Sequence, residues 1–176
     1  MRPSSSGLLL CLLGLTPLLE AQQAPPAGAP FSEQLAYLLA QSSAGFVEIR
    51  GDSISPGMWH SRYFLTTTLD SATALTASSI TELARQHADG RPGKAIVGVF
   101  PLALVAPGDS TSYARYRELI ASAVPAWQSR SPGGGNWTEC PDPRRGREII
   151  LSSGRTAGGE LLLTLSITVH PDVGCA

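Results

Sequence analysis

Between residues 160 and 169 the chain alternates without a break. Leu161, Leu163, Leu165, Ile167 and Val169 interleave with Leu162, Thr164, Ser166 and Thr168. A two-residue period belongs to an extended strand, because successive side chains point to opposite faces. One face of this strand is therefore core and the other is partly wet, as in an antiparallel sheet covered on one side only. That requirement limits the fold, since a second layer must supply the cover.

Two segments have the spacing to be that layer. Phe31, Leu35, Leu38 and Leu39 recur at helical intervals within residues 31–43, with Ser32 as a candidate N-cap and Gly45 as the stop. Tyr113, Tyr116, Leu119, Ile120 and Ala123 share one face of a second helix, capped by Asp109 or Ser110 and ended by Pro125. Residues 78–87 read as a short third helix, with Ser79 as cap and Glu82 three positions on.

Further strands are expected at residues 46–50, 62–69, 72–77, 94–105 and 147–151. Residues 94–105 are the most apolar of these, with Pro101 as an interruption. The Gly-rich turn at Gly158 and Gly159 joins the last two strands. Residues 129–145, which hold three consecutive glycines and three prolines, read as a long loop. No internal repeat is visible. The expected fold is α+β in two layers, a mostly antiparallel sheet of five or six strands with two helices on one face.

The N-terminus carries different information. Arg2, an apolar run from Leu8 to Leu15, Pro17 and the small Ala21 make residues 1–21 a secretory signal, cleaved near Ala21. The run is too short to cross a bilayer as a mature helix. Residues 22–30, rich in Ala, Pro and Gln, are a disordered spacer, and 31–176 form a single domain. The expected location is secreted or periplasmic, with no membrane span in the mature chain. Export leaves Cys140 and Cys175, and an oxidising compartment favours a disulfide between them. A net charge of −1 with 15% charged residues excludes a polybasic nucleic-acid binder.

The chemistry-bearing residues are sparse. Gly51-Asp52-Ser53-Ile54, after an expected strand, resembles the nucleophile block of GDSL-type esterases. That resemblance implies a Ser53 nucleophile activated by a histidine, for which His60 or His170 is available, with an acid to orient it. The family's acid stands three residues before the histidine, where this chain has Ile167. The plain reading of the tetrapeptide is a polar turn.

Arg50-Gly51-Asp52 resembles the tripeptide of integrin ligands, and Asn136-Trp137-Thr138 is an N-glycosylation sequon in the expected loop. His60, His87 and His170 are scattered, and no ligand spacing points to a metal or a cofactor. Arg144, Arg145 and Arg147 form the one basic cluster. Trp59, Trp127 and Trp137 sit in expected loops or at element ends, where aromatics serve as lids or as binding residues. These six residues are the candidate contact set of a non-enzymatic exported binding domain for a protein or envelope ligand. A small serine hydrolase using Ser53 is the alternative.

Overall fold

A computed structural model of the chain describes residues 24–26, 29–55, 60–65, 78–86, 92–106, 108–130, 133–142 and 145–170. The expected leader, Trp59, the expected strand at 72–77, His87, Arg144 and Cys175 lie outside the described residues.

The chain runs α1 (Phe31–Ser43), a single 3-10 turn (Val47–Ile49), β1 (Arg50–Ser55), β2 (His60–Leu65), β3 (Ser79–Gln86) and β4 (Pro92–Val105). It continues through α2 (Ser110–Ala123), β5 (Gln128–Ser129), β6 (Asn136–Asp142), β7 (Arg145–Arg155) and β8 (Leu161–His170). All the described strands join one antiparallel sheet in the order β1-β2-β3-β4-β8-β7-β6-β5. The α+β class, the two layers and the two helices on one face are as expected; among the described residues the sheet holds eight strands, where five or six were expected, because residues 79–86 and the 128–142 segment add strands.

Each half of the domain is one helix followed by a four-stranded meander. The last strand of each half, β4 and β8, pair antiparallel in the middle of the sheet. The two halves therefore share one order of elements and meet at these two strands. It is a repeat of topology, carried by no repeat of sequence.

The alternation in β8 sorts as its period requires. Leu163, Leu165 and Ile167 are fully buried on the helix face, opposite Phe100 of β4 and Ile149 and Leu151 of β7. Leu35 and Leu38 of α1 and Tyr116 and Ile120 of α2 close over them. Burying each such side chain contributes about 1.5–3 kcal/mol. The Phe31 and Tyr116 rings meet at 5.8 Å, joining the two helices. Gly98 of β4 also faces the helices. A Cβ there would lie 2.8 Å from the Phe46 ring, so the glycine makes the space that Phe46 fills.

Caps differ in kind. Asp109 Oδ1 accepts from the Thr111 and Ser112 amides at 2.9 and 3.2 Å, as the cap reading requires. Ser32 does not cap α1. It lies inside the helix, and Pro30 stands at the N-cap without a side-chain bond.

Four expected elements change. Residues 46–49 turn instead of extending: Gly45 and Phe46 take positive φ, and Phe46 and Ile49 both bury, while Val47 and Glu48 face out. A strand would have split Phe46 and Ile49 between two faces. The Gly51–Ile54 stretch, expected as a turn, is the body of edge strand β1, which carries two register shifts. Residues 78–87, expected as a helix, form β3, because eight consecutive pairings with β4 outweigh a local capping pattern. The expected loop at 129–145 contains β5 and β6, with Trp137 turned into the core. Pro101 is accommodated by a register shift between Pro101 and Ala103 rather than by a break.

Candidate functional site

Register assigns the face turned away from the helices. One row crosses the sheet through Thr138, Glu148, Thr168, Val97 and Thr81. The next crosses through Asn136, Ile150, Ser166, Val99 and Ser79. Two shorter rows follow, Ser152, Thr164 and Pro101, then Gly154, Leu162 and Leu104. Among the described residues no helix or strand lies on this outer face.

A solvated sheet face ordinarily alternates toward charged and polar side chains. Here the central positions are hydroxyls and aliphatic groups, and three of them, Ser79, Thr138 and Thr168, are buried. In the two long rows, from β6 to β3, the one charged residue is Glu148, and its carboxylate accepts from Asn136 Nδ2 at 2.9 Å. Arg62 on β2 extends the first row beyond Thr81, and Arg130, after β5 and beside Asn136, reaches back to donate from Nε to Thr138 Oγ1 at 3.1 Å. Leu83, on the outer face of β3, is 41% exposed. This broad, charge-poor face was legible only as the Leu162–Thr168 half of the β8 alternation. Its extent depends on pairings that periodicity cannot supply.

On the helix face the charges are used for assembly. Arg147 of β7 donates from Nε to Glu139 Oε2 at 2.8 Å, and its Nη2 also pairs with Glu139. Its Nη1 donates to the Leu39 carbonyl at 2.8 Å and to Ser43 Oγ at 3.2 Å, near the end of α1. The guanidinium lies 5.5 Å from the Trp127 ring centroid. Arg50 does the same from the other side of the sheet. Its Nη2 donates to the Gly45 carbonyl at 2.8 Å and pairs with Glu82 at 2.6 Å, and the guanidinium lies 4.9 Å from the Tyr63 centroid. The last turn of α1 has no basic residue of its own. Two arginines from distant strands place positive charge near its C-terminal end, where the helix dipole favours it. Beside this end, burial and then the nearby Glu48 carboxylate push the Tyr37 hydroxyl above its usual value of 10.0.

This geometry corrects several of the expected contact residues. Trp137 is 4% exposed and belongs to the core, so it offers no binding surface. Arg147 is half-buried in a strand, and its donors are committed to Glu139, Leu39 and Ser43. Arg145 stands at the start of β7 and not in a loop, and Trp127 is half-buried under Arg147. The sequon lies on β6 with Thr138 buried and Asn136 bonded to Glu148, not in an open loop.

Ser53 is exposed on edge strand β1, opposite Tyr63. His170 ends β8, four strands across, or roughly 19 Å away at ordinary strand spacing, which is out of reach of a proton transfer. His60 lies three residues from Tyr63, roughly 10 Å along the strand from the point opposite Ser53. Arg50 of the Arg-Gly-Asp tripeptide is tied to Glu82 and Gly45. Among the described residues no three metal-ligating side chains converge, and no helix is long and apolar enough to cross a membrane.

No protein-family model, curated protein or solved structure matches the chain.

Proposed function

We propose that this chain is a small exported binding domain, secreted or periplasmic and non-enzymatic, that engages a protein partner through the outer face of its sheet. The observation that carries the reading is the run of ten outer positions across five strands in which Glu148 is the one charged residue. Charge depletion at the centre of a patch, with charge at its rim, is the compositional mark of a protein interface. The helix face supports the same reading, because its arginines are consumed in holding α1 and leave recognition to the other side.

A photo-crosslinking side chain tests this directly. Placed at Ser166, in the middle of the outer face, it forms adducts when the chain is made and exported by the cell. Placed at Ser122, exposed on α2, it does not. Equal adducts at both positions, or none at Ser166, overturn the reading.

Export and sulfur chemistry belong to the same proposal. Cleavage near Ala21 leaves a chain starting at Gln22, and a Cys140–Cys175 bridge ties the C-terminal end to β6. Intact mass of exported protein is expected to show the loss of residues 1–21 and of two thiol hydrogens. A retained Met1 or two free thiols would remove the compartment from the proposal.

A further inference from the structure

We propose that residues 171–175, outside the described residues, cross the outer face of β7 at Gly146 as a strap latched by a Cys140–Cys175 bridge; the inference rests on the disulfide proposed above.

Burial is the first argument. Gly146 belongs to the outer face of β7, one step along that face from Glu148. It is buried, although among the described residues no helix or strand lies over it. Thr168, on the same face of β8, is 5% exposed. Ser152, on the outer face of β7 farther along, is exposed. The cover therefore lies over the start of β7 and not over its far part. A glycine within a strand marks a place where another backbone comes close, because no Cβ holds it off.

Connectivity is the second. β8 ends at His170, directly opposite Gly146. Pro171 follows, and without an amide hydrogen it cannot extend the ladder. On the other side of β7, the pairs Glu139–Arg147 and Asp142–Arg145 put Cys140 and Pro141 opposite Gly146. One line thus runs from the end of β8 across Gly146 to Cys140, spanning roughly 10 Å at ordinary strand spacing. Five extended residues reach roughly 16 Å, enough to carry Cys175 over β7. Other nearby segments do not fit. Residues 143–144 are too few to fold back over the face, and 87–91 must return from β3 to β4, away from β7.

The latch closes by thiol–disulfide exchange. Two protons and two electrons pass from the Cys140 and Cys175 thiols to a donor disulfide, which leaves as two thiols. Closed, the strap occupies the Gly146 end of the outer face and leaves the centre around Ser166 and Val99 for a partner. Reduced, it opens that end as well.

Titration of the exported chain with dithiothreitol is the test, with free thiols counted by alkylation and intact mass. Gly146→Val sets a branched side chain under the strap. It is expected to shift the reduction equilibrium about tenfold or more toward the dithiol, because a strained bridge is more easily reduced. Ser152→Val, on the same face away from the crossing, is expected to reduce as wild type does. Should Gly146→Val fail to fold, hydrogen exchange of wild type before and after reduction takes its place. Exchange is expected to quicken at residues 145–148 and 168–170 and to stay unchanged at 152–154. A bridge equally stable in wild type and Gly146→Val, or exchange indifferent to reduction, overturns the strap and leaves the disulfide standing. Two free thiols in exported wild type remove both.

Discussion

Leu165 and Ser166 are adjacent in β8 and belong to two different surfaces. Leu165 is fully buried under the helices, packed between Phe100 and Leu151. Ser166 is half-buried on the outer face, between Val99 and Ile150. The helix face holds the hydrophobic core and two arginine brackets, which together make the domain. Among the described residues the outer face has no helix over it, and its centre carries no charge. One face carries the core, and the other is the face proposed for contact.

The largest expected effect tests that division. Leu165→Ala should cost about 2–5 kcal/mol in chemical denaturation, as deletion of a fully buried leucine does. Ser166→Ala should lie within about 0.5 kcal/mol of wild type. Similar losses at both positions would erase the distinction between the faces.

Gly98→Ala probes the packing of the core face in the opposite direction, by adding a methyl group against Phe46 and Phe100. Overpacking of this kind costs about 1–3 kcal/mol. Wild-type stability in this variant would mean that the Phe46 ring can move aside.

The brackets sharpen the comparison within the helix face. Arg147 uses Nε, Nη1 and Nη2, whereas Arg50 Nε is buried without a partner among the described residues. Glu82 also keeps Lys94 at 3.5 Å if Arg50 is removed. Arg147→Ala should therefore destabilise by about 1–3 kcal/mol, the scale of lost charge-assisted hydrogen bonds, and Arg50→Ala by less. A double-mutant cycle of Arg147 with Glu139 should show positive coupling. Equal losses for the two arginines would show that the extra bonds of Arg147 add nothing.

The smallest effect is at the cap of α2. The Ser112 hydroxyl, then the Ser112 amide, hold the Asp109 carboxyl below its ordinary value of 3.8. A lowered folded-state value contributes stability above the unfolded-state value, and that stability disappears as pH falls through the folded one. Asp109→Ala should lower the denaturation midpoint modestly at neutral pH, and the gap from wild type should close as pH drops through the carboxylate range. A gap that does not change with pH would assign the cap's role to something other than its charge.

Much of the fold could be read locally. The spacing of Leu35 and Leu38, and of Tyr116 and Ile120, marks both helices and their buried faces. The alternation of residues 161–169 places five apolar side chains toward cover and predicts one covered face. These patterns are legible because each repeats within a few residues and needs no partner to be recognised. The sites were not legible in the same way. Trp137 stands beside glycines and a proline-rich stretch, which reads as loop, yet pairing with β7 makes it core. Arg147 looks like part of an exposed cluster until Leu39, 108 residues earlier, is brought to it.

Composition and periodicity thus determined the class of fold, the two covering helices and the one-sided burial of the last strand. Strand order, the conversion of residues 79–86 from helix to strand, the arginine brackets on α1 and the breadth of the charge-poor face were decided only on folding. The physical reason is that backbone pairing in an antiparallel sheet joins residues far apart in the chain, and a local pattern contains no record of which partner it will meet.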